Sequence, residues 1–221
     1  MAEGNGHGFW QRYAGVYDLF MRKDRRAYDA LGKMIRAELG GEMDVLELAT
    51  GTGLVAQRTA GGCRSYLATD YSEKMLARAG RKPWPDTVRL EQADATALKY
   101  PDGSFDAVII ANALHIMPDP LAALAQIRRV LKPGGKLIAP TFVRQGGTKE
   151  GFLEKPMQWF GFRTWHGWSP AEYEAFLRQD GWRIVRSDLI PAGFDIAFVV
   201  AEAQYAAAPE GDCFSTRVSG N

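Results

Sequence analysis

The sequence predicts an α/β fold: a three-layer sandwich around a seven-stranded, mostly parallel sheet that ends in an antiparallel hairpin. Three observations predict it. Short apolar runs alternate with helix-patterned segments along the chain, as a parallel sheet with crossover helices requires. Val45-Leu46-Glu47-Leu48 leads into the glycine turn Ala49-Thr50-Gly51-Thr52-Gly53 and then a helix, the strand-turn-helix unit that opens a nucleotide pocket. Near the carboxyl end, Trp182 to Leu189 and Phe194 to Glu202 are joined by Ile190-Pro191-Ala192-Gly193 alone. That link is too short for a parallel crossover, so the two runs form a hairpin.

The remaining elements follow in order. Arg25 to Leu39 reads as an amphipathic helix stopped by Gly40-Gly41. Strands are expected near residues 44–48, 65–69, 88–91, 105–111 and 135–142. Leu121, Leu124, Ile127 and Leu131 recur at helical spacing, so the helix from Pro120 to Leu131 packs one face on the sheet. Ser169-Pro170-Ala171-Glu172 combines a capping serine, a first-turn proline and a glutamate placed for a capping box, and that helix should stop at Gly181. Residues 1–205 are read as one domain, with 1–40 as a helical cap and 206–221, which show no periodicity, as a mobile tail.

Composition narrows the function. The chain of 221 residues is 46% hydrophobic and 24% charged, enough to build a core without metal or disulfide staples. Lys and Arg number 27 against 26 Asp and Glu, so no large positive field favours nucleic acid. The first residues carry neither a basic region nor an apolar stretch, and no spanning segment stands out; a cytoplasmic protein without stable membrane insertion is expected. Cys63 and Cys213 lie outside any metal-ligand spacing, so reduced thiols and no metal are expected.

The glycine turn alone fits a dinucleotide fingerprint, with Asp70 the acid roughly 20 residues on that would accept from ribose hydroxyls. Two further acids tilt the reading. Glu47 lies upstream of the glycines and Asp94 follows the next apolar run; a carboxylate at 47 would repel a pyrophosphate and tolerate a cationic group. A ligand with positive charge and no phosphate is the expectation.

With these residues in place, the chain from about Trp10 to Ala203 resembles the class I S-adenosylmethionine-dependent methyltransferases, a Rossmann-like family, and among them the quinone and phospholipid biosynthesis group. The family's acid and alternating glycines stand here as Glu47 to Gly53, with Ala49 in place of the first glycine, a departure tolerated if φ stays negative there. Leu131-Lys132-Pro133-Gly134-Gly135-Lys136-Leu137-Ile138 is similar to the family's turn into its fifth strand. The resemblance implies S-adenosylmethionine as cofactor and S-adenosylhomocysteine as product. It places the backbone of Ala49, Thr50, Gly51 and Gly53 near the methionine part and Asp70 on the ribose. Tyr71 and Met75 would flank the adenine, Asp94 and Ala95 would read its edge, and Asn112 would line the methionine side. Phe9 to Asp18 is similar to an amino-terminal segment that folds over the cofactor in that group, so Tyr17, with Tyr13 and Trp10, would wall the pocket.

Methyl transfer from a sulfonium needs the nucleophile, carbon and sulfur in line, and a base only where the acceptor must lose a proton. His115, just past the fourth strand, is the expected proton acceptor, with His166 in reserve. The long connection from Gln145 to Trp168 carries Phe152, Trp159, Phe160, Phe162, Trp165 and Trp168, a lid over a flat or cationic acceptor or an apolar sheet edge. Arg22, Lys23, Arg25 and Arg26 make a short basic run, read as a solvated helix face more readily than a headgroup site. The expected function is transfer of a methyl group to N, O or S of a small molecule. The alternatives are a quinone-type C-methyltransferase, a phospholipid N-methyltransferase and, from other classes, an NAD-dependent oxidoreductase or a non-catalytic cofactor-binding protein. The sequence sets no oligomeric state.

Overall fold

The computed structural model describes residues 22–144 and 166–204. Expectations for Tyr17 and its neighbours, for the aromatic run between 145 and 165, and for the tail lie outside the described residues.

Eight strands form one sheet in the order β3-β2-β1-β4-β5-β8-β6, with β7 also paired to β8. They are β1 (Asp44–Leu48), β2 (Ser65–Asp70), β3 (Val88–Gln92), β4 (Phe105–Ile110), β5 (Leu131–Ile138), β6 (Thr141–Phe142), β7 (Trp182–Ile190) and β8 (Ile196–Ala203). The first five strands run parallel and β8 runs antiparallel to its three neighbours. The eighth strand, beyond the seven expected, arises from a break at Ala139-Pro140, where the chain leaves β5 and re-enters the sheet for two residues against β8.

Alternation along the buried strands sorts side chains to the two faces. Leu46, Leu48, Val108 and Ile110 point to one core, under the helices α4 (Pro120–Val130) and α5 (Pro170–Gln179). Val45, Ala107 and Ile109 point to the other, under α1 (Arg25–Glu38) and α2 (Ala56–Thr59). Helix α3 (Glu73–Ala79) begins two residues after β2, with Ser72 accepting from the Met75 N–H as its cap. The Ser169 and Glu172 capping box forms as the sequence indicates. Two features of the basic run support a helix face: Arg25 pairs with Asp29 one turn on, and Asp24 accepts from the Gly193 N–H.

Strand order reverses between β1 and β4, because the chain runs outward from β1 through β2 to β3 and then returns to β1's other side. A crevice at the carboxyl ends of the strands opens at such a switch point.

Candidate functional site

The turn leaving β1 is tightly wound. Ala49, Gly51 and Gly53 all have left-handed φ, at 54°, 60° and 80°. The condition under which Ala49 would be tolerated, a negative φ, is therefore not met: the alanine takes the conformation a glycine would take freely, at a cost of about 1 kcal/mol. The turn is fastened by Thr50 N–H to Thr69 C=O at 2.8 Å and by Gly53 N–H to Thr50 C=O at 2.9 Å. Its two glycines serve different ends. A Cβ on Gly51 would meet nothing within 4 Å, so its face is open to a ligand, whereas one on Gly53 would stand 2.6 Å from the Trp84 ring. Trp84 was not singled out from the sequence, although its bulk between two prolines was a signal that a ring is held in place there.

Asp70 closes β2 and grips the turn. Its Oδ2 accepts from Gly51 N–H at 2.7 Å and its Oδ1 from Ser72 N–H at 2.8 Å. Burial raises its pKa, while these two backbone donors oppose the rise. Each oxygen keeps lone-pair capacity for a further donor.

Glu47 requires a correction. It is 1% exposed, and Tyr66 Oη donates to its Oε2 at 2.7 Å, on the face that holds Val45 and the α1 side of the core. Burial, with a smaller push from the Asp70 charge, takes its pKa up to about 7, against the lowering effects of the Tyr66 donor and the Thr50 hydroxyl. It is a buried acid beneath the turn, without the exposure a cofactor-contacting residue needs, so the expectation that it meets the ligand directly and sorts it by charge is corrected. Met75 also moves: at 2% exposure it offers no face to an adenine ring, whereas Tyr71, 53% exposed, does. Asp94 is exposed and accepts from the Thr96 N–H and hydroxyl through Oδ1, and Ala95 beside it is half-buried against the α4 core.

At the neighbouring strand end, Asn112 also adopts a left-handed φ of 53°, which Asn tolerates better than Ala. Its N–H donates to Pro140 C=O at 2.8 Å and its Nδ2 to Tyr28 Oη at 3.0 Å. Its Oδ1 is buried without a partner. Tyr28 lies among the buried positions of α1 and was not singled out from the sequence.

His115 follows on a short 3-10 turn. It is 5% exposed, with Nδ1 3.0 Å from the Thr141 hydroxyl and its ring edge-on to Phe142. Burial, reinforced by His166, lowers its pKa to about 3. An imidazole held neutral so firmly is a poor proton acceptor at neutral pH, so the expectation of His115 as the base is corrected to a neutral, wall-forming side chain. His166 donates its N–H to His115 C=O at 3.1 Å and stacks on Trp168, which in turn stacks on Phe176; the His166 Nε2 is buried without a partner. Among the described residues no group of three or more His, Cys, Asp or Glu could hold a metal, and no helix is long and apolar enough to cross a membrane.

The turn, Asp70 and Asn112 thus converge at the switch point of the sheet. A methyltransferase-domain family model matches residues 46–139, the span that contains all three. A Ubiquinone/menaquinone biosynthesis C-methyltransferase from Bordetella avium is 35% identical over 184 residues, covering 78% of this chain and 68% of that relative. The chain belongs to the class I S-adenosylmethionine-dependent methyltransferases. A 27-O-demethylrifamycin SV methyltransferase from Amycolatopsis mediterranei is 34% identical over 143 residues, covering 62% of this chain and 50% of that one. A solved DhpI–SAH complex is 29% identical, with a TM-score of 0.68, covering 89% of this chain and 94% of the other. The chain spans from 40% to 68% of the length of the curated relatives it matches. It is an S-adenosylmethionine-dependent methyltransferase, which sets aside the dinucleotide and non-catalytic alternatives. Two observations of this methyltransferase fit its cofactor: the open face at Gly51 admits a ligand against bare backbone, and the orphaned Asn112 Oδ1 suits a donor such as an ammonium.

Proposed function

We propose that this methyltransferase transfers the methyl group to a small, flat, hydroxylated ring, with a quinol-like ring carbon as the accepting atom. The observation that carries the reading is the aromatic, neutral surround of the β4 exit: His115 against Phe142, Phe142 near Phe194, and His166 stacked on Trp168, which stacks on Phe176. Such a wall holds an uncharged ring by stacking and disfavours a charged headgroup. The name of the Bordetella relative supports carbon as the acceptor atom.

In this reading the bound cofactor supplies an electrophilic methyl carbon on a sulfonium, and the chain does the rest. Asp70 accepts from the ribose hydroxyls, Tyr71 lies against the adenine, and Asp94 with Ala95 meets its edge. The backbone at Ala49, Thr50, Gly51 and Gly53 borders the methionine part, and Asn112 Oδ1 accepts from its ammonium. Alignment in a dry site supplies most of the acceleration, since in-line placement alone is worth several kcal/mol.

Oxygen is the second reading, favoured by the Amycolatopsis relative, whose name specifies an O-methyl product. Incubating the enzyme with methyl-deuterated cofactor and a panel of quinols, phenols, amines and thiols, followed by mass spectrometry, tests both. Label on a ring carbon supports the proposal and label on oxygen supports the second reading. Transfer confined to amines or thiols overturns both.

A further inference from the structure

Beneath the glycine turn lies a row of three buried polar side chains that cofactor contact does not explain. Glu47 Oε2 is 2.7 Å from Tyr66 Oη, Tyr66 Oη is 2.9 Å from Thr59 Oγ1, and Thr59 Oγ1 is 3.0 Å from Val55 C=O. Glu47 and Thr59 are at most 1% exposed, as is Tyr66. The row links the strand before the turn, β1, through β2 to α2 after it.

Each hydroxyl has one proton, so the row can be ordered in two ways. With Glu47 ionised, Thr59 donates to Tyr66 and Tyr66 donates to the carboxylate. With Glu47 protonated, its O–H donates to Tyr66, Tyr66 to Thr59, and Thr59 to Val55 C=O. Every donor is paired in both orders, and no heavy atom need move. A buried carboxyl with a single fixed donor would be satisfied in one state alone.

We propose that Thr59, Tyr66 and Glu47 form a reversible hydrogen-bond chain that keeps Glu47 able to take up and give up a proton under the glycine turn. Binding of the positively charged cofactor is thereby coupled to proton release. Tyr66 and Thr59 act as positioning residues. Glu47 titrates near neutrality, which places the coupling within the working pH range. The other titratable groups facing the row are Asp70 at the end of β2, whose charge opposes ionisation of Glu47, and Cys63 beside Tyr66, itself held up by burial. A cation in the crevice favours the ionised Glu47, and by reciprocity the ionised form favours the cation.

The two hydroxyls act with opposite sign. Removing the Tyr66 hydroxyl deprives the carboxylate of its donor at Oε2, leaving the weaker influence of the Thr50 hydroxyl, and moves the Glu47 midpoint up. Removing the Thr59 hydroxyl leaves the Tyr66 proton without an acceptor in the protonated order and moves the midpoint down.

Calorimetry of S-adenosylmethionine and S-adenosylhomocysteine binding, in buffers of different protonation enthalpy between pH 6 and 9, counts the protons released. At neutral pH the wild type should release roughly half a proton more than Glu47→Gln, in which the ligand's own titration alone remains. Tyr66→Phe should move the pH midpoint of binding up and weaken binding about tenfold at neutral pH. Thr59→Val should move the midpoint down. Equal proton release by wild type and Glu47→Gln overturns the proposal, as do midpoint shifts that are absent or of one sign. Thermal unfolding of the cofactor-free variants identifies any that do not fold; if Tyr66→Phe fails, a downward midpoint shift in Thr59→Val, which keeps the side-chain shape, supports the proposal and an upward or absent shift overturns it.

Discussion

The exits of β1 and β4 lie side by side, and each carries a non-glycine residue forced into the left-handed region, Ala49 and Asn112. They are finished in opposite ways. At the β1 exit, Asp70 takes up Gly51 N–H and Glu47 is held by Tyr66. At the β4 exit, Asn112 Oδ1 and His166 Nε2 are buried without hydrogen-bond partners, and at the β1 exit Thr50 Oγ1 is. The β1 exit, whose turn is held by Asp70 and the backbone, is largely set in shape before its ligand arrives, whereas the β4 exit leaves more buried hydrogen-bonding capacity for a ligand to complete. Unpaired buried polar atoms cost about 1–3 kcal/mol each, so a ligand that satisfies them gains in specificity.

The sharpest way to break this comparison is at the two glycines of the β1 exit. Gly53→Ala combines left-handed strain with a Cβ at 2.6 Å from Trp84, and should lower unfolding stability by about 3 kcal/mol in urea titration. Gly51→Ala meets open space, so it should cost about 1 kcal/mol in stability while weakening S-adenosylhomocysteine binding, because the added methyl stands on the ligand's side. Equal losses of stability at both positions would mean that the turn does not divide into a packed side and an open side.

Each exit also holds one buried titratable group kept neutral, and the two respond to pH with opposite sign. Glu47 is raised from 4.5 to about 7, so its contribution is full below 4.5 and is lost as pH rises through 7. His115 is lowered from 6.5 to about 3, so its contribution is full above 6.5 and is lost as pH falls through 3. Between pH 4.5 and 6.5 the two slopes cancel, each being about 1.4 kcal/mol per pH unit. Relative to wild type, Glu47→Gln should therefore lose stability on acidification across that window, and His115→Gln should gain it, each by on the order of 3 kcal/mol. Parallel curves for wild type and both variants would show that neither group is buried as described.

Asp70→Ala tests what the self-wired end gives to the ligand. Loss of a charged acceptor should weaken S-adenosylhomocysteine binding by about 1–3 kcal/mol, with a lower melting temperature because Gly51 N–H and Ser72 N–H lose their partner. An unchanged dissociation constant beside a lower melting temperature would leave Asp70 as a turn clamp alone.

Much of the cofactor end was legible in the sequence, because its signals are local. A strand, alternating glycines and an acid closing the next strand sit within a short stretch, and backbone sterics tie each to a conformation. What the sequence misjudged was direction and environment. Glu47 alternates in step with Val45 along β1, which places it on the α1 face, but its pKa depends on Tyr66 and Asp70 from another strand. Met75 was misplaced and Trp84 missed because which side of α3 faces the turn, and what packs on it, is fixed by tertiary packing. At the β4 exit Tyr28, Thr141 and His166 come from three distant parts of the chain, and no spacing rule joins them.

Ala49→Gly is the smallest and cleanest probe of the difference between the exits. The strain at Ala49 has no evident return in hydrogen bonding, since a glycine with φ near 54° could make the same backbone turn. Relief of the left-handed cost is worth about 1 kcal/mol, and the greater freedom of glycine in the unfolded chain takes back part of it. Ala49→Gly should therefore raise stability by up to about 1 kcal/mol by urea titration. Asn112→Gly, at nearly the same φ, should lower it, because Asn tolerates that conformation and its Nδ2 bond to Tyr28 is lost. If Ala49→Gly instead destabilises, the alanine methyl contributes to packing against the core on the α4 side by more than its strain, and strain at the β1 exit is then offset locally, as it is at Asn112.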